Sequence, residues 1–488
     1  MNDAAVPLSR ADGEGSPTSQ QLRLPRSFAA LRMTAILLLF VGVQCRRADG
    51  VAADPVAREA EEALVAYLRI DTTNPPGNET AGAAFLRDLL ARDGVAAQLV
   101  GDDPKRQAVY ARLASGSNEK ALLLLSHIDV VPADPKAWRN PPFEGKREGG
   151  YIWGRGALDI KSLTIAQLMA VADLKRRGAK LRRDVIFLAV PDEELGGVHG
   201  AKMLLEKYPQ LFTNVGFVLN EGGSNETAVD KAMFWGIEVQ QKVPLWLRIT
   251  TSSQGGHGAS PSDSGGASAK LVHALARIDA LETPYRLTDS VARTFAAAAA
   301  VRKDGRGEML HLLREPLDIA AIERDLPAGY RALLRDTITI TRLSAGSAVN
   351  IVPSTASADV DIRLLPGTAP EEMLQRIRTA VGKDATVEVL LAGKPIPESP
   401  ASGELYDTLV RVLRSSGGAP VGPMVTPGTT DSRYFRERGV IAYGIAPFKV
   451  NYYDADSVHG EDERIRARFF AEGVGLMRQI VREFCEGR

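Results

Sequence analysis

The period of the hydrophobic positions changes several times along the chain, and each change marks an element. Val56, Ala60, Leu64, Val65 and Leu68 recur at the spacing of one helix face, so residues 56–70 are predicted to be helical. Asn74-Pro75-Pro76-Gly77 then breaks the pattern as a loop. Ala121–Leu125 is a short unbroken apolar run, as in a strand buried on both faces, and Val185–Val190 and Val215–Leu219 repeat it. Ser162–Lys175 carries a helical pattern between the first two. Buried strands alternating with helices predict an α/β layer, one sheet with helices on both faces.

From about Trp235 the texture differs. Residues 237–252 are rich in β-branched side chains, and 264–281 have helical spacing. Thr337–Thr341 and Ala356–Leu364 alternate strictly, as strands with one wet face do. Pro370–Val381 reads as a helix and Thr386–Leu391 as a strand. Together these predict a smaller α+β unit of one sheet and two helices. A helical stretch rich in Ala and Arg, 285–335, interrupts it without an evident task. Residues 402–488 return to the α/β texture, and no fixed-period repeat is present. The expected organisation is a catalytic α/β domain in two parts, 54–240 and 396–488, split by an inserted unit at 241–395.

Residues 1–53 differ from both. Arg23, Arg26 and Arg32 precede an apolar run from Ala35 to Val43, about nine residues, which suits a signal-peptide core and is too short to span a bilayer. Val51-Ala52-Ala53 offers a cleavage site, so the mature chain is expected to be exported, periplasmic or secreted, with no membrane span. A lipid anchor at Cys45, a start at Met33 and a cytoplasmic product are the alternatives. Lys+Arg and Asp+Glu are 60 each, so no global basic field draws nucleic acid. The two cysteines, Cys45 and Cys485, match no thiolate metal motif. Any metal ligands must therefore be His, Asp or Glu.

The chain has six histidines, so each can be weighed singly. His273 and His311 sit in helical patterns without acidic motifs and read as structural. His127 and Asp129 close the strand Ala121–Leu125, two positions apart and so on one face, where the acid can reach back to the imidazole. The bland reading is a strand-end His capped by its neighbour. Asp159, in Gly154-Arg155-Gly156-Ala157-Leu158-Asp159, leads into a helix, where it is either an N-cap or a carboxylate shared by two cations. Glu193 and Glu194 follow a buried strand in Pro191-Asp192-Glu193-Glu194-Leu195-Gly196-Gly197. Adjacent acids there need a cation, a proton or full solvation. Glu221 follows the next strand, and His459 lies in Val458-His459-Gly460-Glu461. Acids and imidazoles at the exits of successive strands of an α/β sheet point to one ligand site. Oxygen and imidazole donors without thiolate suit Zn, Mn or Co in a two-metal hydrolytic centre.

These motifs resemble the zinc exopeptidase family that includes glutamate carboxypeptidase, aminoacylase, succinyl-diaminopimelate desuccinylase and carboxypeptidase S, over about residues 56–470. Asn74–Gly77, Trp153–Lys161, Asp192–Gly197 and Gly428-Thr429-Thr430-Asp431-Ser432-Arg433 are most similar to the carboxypeptidase S and N-acyl-amino-acid hydrolase branch. The resemblance implies two divalent metals, zinc with cobalt or manganese as alternatives. His127, Asp159 and Glu221 would hold one, and Asp159, Glu194 and His459 the other. It implies Glu193 as general base, Asp129 as the group that orients His127, and a cis peptide after Asp159. The inserted unit resembles a lid and dimerisation domain, its Gly255-Gly256-His257-Gly258-Ala259-Ser260-Pro261 matching a motif whose His reaches a partner subunit's active site. Asn350, Arg363 and Gly428 would hold the substrate; an Arg363–Asp361 surface pair is the bland alternative. The activity so implied is hydrolysis of an amide next to a free carboxylate, in a short peptide or an N-acyl amino acid, by a homodimer. A dipeptidase or aminopeptidase that reads a free amine is the nearest rival. A metal-free binding protein is the rival from another class.

Overall fold

A computed structural model describes residues 54–260, 265–299 and 313–487. The expected targeting segment, His311 and Pro261 lie outside these residues. Among the described residues no helix is long and apolar enough to cross a membrane.

The apolar runs build one mixed sheet of nine strands. Its main path is 97–100, 108–113, 185–190, 121–127, 215–220, 441–444, 231–241 and 421–426, with 224–228 paired to 231–241. The central strands are parallel: Ala121–His127 lies between Val185–Val190 and Val215–Asn220. Successive side chains of a strand point to opposite faces. Leu122, Leu124, Val185 and Phe187 accordingly pack with the helices Pro55–Leu68, Lys161–Arg176 and Ala467–Cys485. Leu123, Leu125, Ile186 and Leu188 pack on the other face with Leu204, Leu205, Tyr434 and Phe435. Burial on both faces is why these strands read as unbroken apolar runs.

The predicted run 237–252 is two strands that belong to different sheets. Lys231–Gln241 ends in the large sheet, and Val243–Ser252 begins a four-stranded antiparallel sheet of order 337–345, 355–364, 243–252, 385–392. One face of this sheet is covered by the helices Ala267–Asp279 and Pro370–Val381 through Leu271, Leu275, Ile278, Met373 and Ile377. The strand Thr355–Leu364 alternates in burial as its sequence predicts.

The described parts of the stretch 285–335, residues 285–299 and 313–335, have their partner in the large sheet. Val291, Phe295, Ile322 and Leu334 form a cluster with Val425, from the edge strand Val421–Thr426. Thr294 Oγ1 accepts from the Val425 amide at 3.1 Å. An edge strand with a helix laid on it offers less open backbone for pairing with another chain. Lys242, at the passage between the sheets, donates to the carbonyls of Ala332 and Arg335 at 3.0 and 2.9 Å. Burial lowers its ammonium pKa to about 7.

Candidate metal centre and active site

Because the central strands are parallel, the chain leaves them at one edge of the sheet. His127–Asp129, Asp192–Glu194 and Glu221 emerge there together. The strand Arg464–Arg466 pairs antiparallel with Tyr151–Trp153, which sets the segment before Arg464 beside the loop after Trp153. That pairing brings His459 to Asp159. Glu463, fully buried, fastens the two loops: its carboxylate accepts from the amides of Gly156, Leu158 and Asp159 at 2.9, 2.7 and 3.0 Å. It also pairs with Arg155 at 2.8 Å. Asp159 is not a helix N-cap; Ile160 holds that position, and the Asp159–Ile160 peptide is cis.

Asp159 faces a histidine with each oxygen. His127 Nε2 lies 3.1 Å from Oδ1, and His459 Nε2 lies 3.1 Å from Oδ2. His459 Nε2 is also 3.1 Å from Glu194 Oε2, and His127 Nε2 is 3.7 Å from Glu221 Oε1. Donor atoms of His127, Glu193 and Glu221 lie within 4.8 Å of one another, and so do those of His127, Asp159 and Glu194. His127 Nδ1 lies 2.9 Å from the Asp129 carbonyl, which can only accept, so Nδ1 carries the proton. The Asp129 carboxylate is farther, at 3.6 Å. The carbonyl thus fixes the ring, while the carboxylate accepts from the amides of Glu193 and Glu194, both at 3.1 Å.

Crowded, buried acids resist ionisation. Burial and then the Glu221 charge push Glu193 well above the usual carboxylate range. Burial raises Glu221 to about 8 and Asp431 to about 7, against the pull of His127 and Arg433 respectively. Burial and then the Asp159 charge raise Glu194. Hydrogen bonds to Asp159 and Glu194 raise His459 to about 10. Burial opposes the charged form of His127, yet the Glu221 charge and the Asp159 hydrogen bond lift it above its ordinary value. Asp159 is lowered: burial opposes this, and the hydrogen bonds from His127 and His459 overcome it. Glu194 Oε1 is buried without a hydrogen-bond partner. One orphaned oxygen, further carboxylates, two imidazoles and no thiolate are a donor set that fits hard or borderline divalent cations.

The four remaining expected residues stand apart from this cluster. His257 lies on a two-residue strand paired with Ile351–Val352, and its exposed ring accepts from the Ala259 amide through Nδ1 at 3.1 Å. Asn350 is exposed beside it, its carbonyl accepting from the Gly258 amide at 2.8 Å. Arg363 forms the two-bond pair with Asp361, at 2.7 and 3.1 Å, and its guanidinium lies over the Trp246 ring. Gly428 sits in the loop before Thr429, whose hydroxyl accepts from Gln241 and Arg433 at 2.7 and 2.8 Å.

The pattern of the sequence did not expose several neighbours of the cluster. Glu463 and Asp431 are fully buried beside it, yet each sits among other polar residues in a stretch without period. Arg106, in Asp102-Asp103-Pro104-Lys105-Arg106, carries no local signal at all. It pairs with Asp192 at 2.7 Å and with Glu79 at 2.8 Å.

The sequence profile of peptidase family M20/M25/M40 matches residues 123–483. An N-fatty-acyl-amino acid synthase/hydrolase of Xenopus tropicalis is 32% identical over 72% of this chain and 70% of its own length. Aminoacylase-1 of Sus scrofa is 29% identical over 85% of this chain and 92% of its own. The fold is shared with an M20 family metallo-carboxypeptidase of Sulfolobus solfataricus, at 19% identity and a TM-score of 0.69 over 87% of this chain and 99% of that one. A profile match over most of the chain, spanning the strand exits that carry the His/Asp/Glu cluster, makes this protein a member of peptidase family M20/M25/M40, a hydrolase acting on amide bonds.

Proposed function

We propose that the protein is a two-metal amidohydrolase that releases an amino acid from an N-acyl amino acid or from the C-terminus of a short peptide. The observation that carries the two-metal reading is Asp159, whose two oxygens each meet a different histidine at 3.1 Å. A carboxylate placed so is ready to bridge two cations. His127 and Glu221 would complete one donor group, Glu194 and His459 the other. The bound metals, zinc or another divalent ion of similar preference, supply Lewis-acid polarisation of the water and the scissile carbonyl.

Glu193 would hold the proton of the attacking water and then deliver it to the departing nitrogen. Its burial and the neighbouring Glu221 charge, which raise its pKa, favour the protonated form it would pass through. The clamp of Asp129 on the Glu193 and Glu194 amides keeps the acid in place while it does so. The substrate class rests on the aminoacylase and fatty-acyl-amino acid hydrolase relatives and on the cationic guanidinium of Arg363, which would grip the free carboxylate in exchange for Asp361. The exposed His257 and Asn350 would serve the active site of a second copy, with the 241–395 unit as lid and dimer contact. Exposed Leu343, Val349 and Ile351 on the same unit offer an apolar face for that contact. Export of the mature chain is proposed on the sequence of residues 1–53 alone.

The test is hydrolysis of N-acetyl and N-decanoyl amino acids and of unblocked dipeptides, with zinc and after chelation. Chelator-sensitive release of amino acid from the blocked compounds is expected. Cleavage of unblocked dipeptides alone would replace this reading by a dipeptidase. Glu193→Gln should lower kcat by roughly 10²–10⁴-fold with metal content unchanged; full activity in that variant sinks the role given to Glu193.

A further inference from the structure

The Asn74-Pro75-Pro76-Gly77 loop marks this chain in sequence, and none of the chemistry above uses it. Its asparagine is 1% exposed. The Asn74 backbone is fastened to the strand exit, its amide donating to the Val130 carbonyl at 3.0 Å. Its side-chain nitrogen lies between two buried carboxylates, 3.0 Å from Asp129 Oδ2 and 3.4 Å from Asp192 Oδ1. An amide nitrogen has two hydrogens, one for each acid. No aspartate could stand there without setting three acceptors face to face.

Both acids lead to Glu193. Asp129 holds the amides of Glu193 and Glu194. Asp192 is the preceding residue and has a left-handed backbone, φ 74°. L-residues avoid that region unless their surroundings hold them. Asp192 is held through its side chain: Oδ2 accepts from the His199 amide and Oδ1 from Arg106, both at 2.7 Å. Arg106 is held in turn by buried Glu79. Gly77 makes the room: a Cβ there would lie 2.6 Å from Arg106 Nε.

We infer that Asn74 is a positioning residue for Glu193, setting its backbone through Asp129 and Asp192, with Arg106 as the charge that holds Asp192 in its turn. This rests on the reading of Glu193 as the proton carrier. Of the metal cluster, the carboxylate that Asn74 touches holds the Glu193–Glu194 backbone, whereas the His127 ring is held by the Asp129 carbonyl at 2.9 Å, nearer than that carboxylate at 3.6 Å. Its loss should therefore show in turnover before it shows in substrate or metal binding.

The experiment uses the full chain with zinc and the best-cleaved N-acyl amino acid of the panel above. Asn74→Asp, Asn74→Ala, Arg106→Met and Arg106→Lys are compared with Glu193→Gln. The expected result is a kcat lowered about 10–100-fold in the Asn74 variants and in Arg106→Met, the range usual for partners that orient a site. KM should stay within about 3-fold and zinc content should not change. Arg106→Lys, which keeps the charge on Asp192, should recover most of the loss. Three results overturn the inference: unchanged kcat in both Asn74 variants, loss of zinc in step with loss of activity, or equal loss in Arg106→Lys and Arg106→Met. Should an Asn74 variant fail to fold, the two Arg106 variants decide alone. Full activity in Glu193→Gln would instead remove the reading on which the inference stands.

Discussion

Replacing Glu463 by alanine probes the joint that assembles the site. Its carboxylate is fully buried and takes four donors, three backbone amides from Gly156 to Asp159 and the Arg155 guanidinium. Burial raises its pKa against the opposing pull of Arg155, so the intact pair itself contributes little net stability. The loss of one partner is costly, because Arg155, 3% exposed, keeps its charge. Breaking a buried pair in this way costs about 3–5 kcal/mol. At about 2.1 cal/mol/K of unfolding entropy per residue, the 417 described residues give about 0.9 kcal/mol/K, so Tm should fall by about 3–6 °C. The assay is thermal unfolding of the metal-free chain, followed by circular dichroism, alongside Arg155→Met and the double variant. The double variant should unfold above the temperature that adding the two single losses predicts, since it leaves no buried charge unpaired. Additive losses, or a fall under about 1 °C in Glu463→Ala, would refute the account of the pair.

The raised acids and histidines of the cluster predict how metal removal couples to pH. Glu193, Glu221 and Asp431 hold protons in the folded chain that the unfolded chain has already released, and His127 and His459 do the same at higher pH. Stability of the metal-free protein should therefore fall as pH rises from the ordinary glutamate range through about 8, with a smaller further loss towards about 10 from His459, whose side chain is 54% exposed and well screened. Added zinc should raise Tm more at pH 8 than at pH 5.5, because binding needs the acids ionised; equal shifts at the two values would contradict the cluster as the zinc site. Gly197→Ala should lower kcat/KM more than 10-fold and reduce Tm, since Gly197 has φ +66° and a Cβ there would lie 2.0 Å from Asp431 Oδ1. A fully active variant would show that the turn after Glu194 tolerates displacement.

The sequence by itself determined what is local. Short unbroken apolar runs at 121–125, 185–190 and 215–219 read as buried strands, and strict alternation at 356–364 as a strand with one covered face, and strands stand at each place. Acids and histidines at the exits of those strands also stood out, because residue chemistry and strand direction are both readable in short windows. Tertiary structure decided whatever depends on contacts between distant positions. Glu463 meets Leu158 across 305 residues, and Arg106 meets Asp192 across 86, with no pattern linking the partners beforehand. The stretch 285–335 interrupts one sheet in sequence, yet its described helices pack against the edge strand of the other, where Val425 joins their apolar faces. The ring of His127 was set by a difference under 1 Å, the Asp129 carbonyl lying nearer than its carboxylate. Periodicity reports which face of an element is buried, and only packing decides against what.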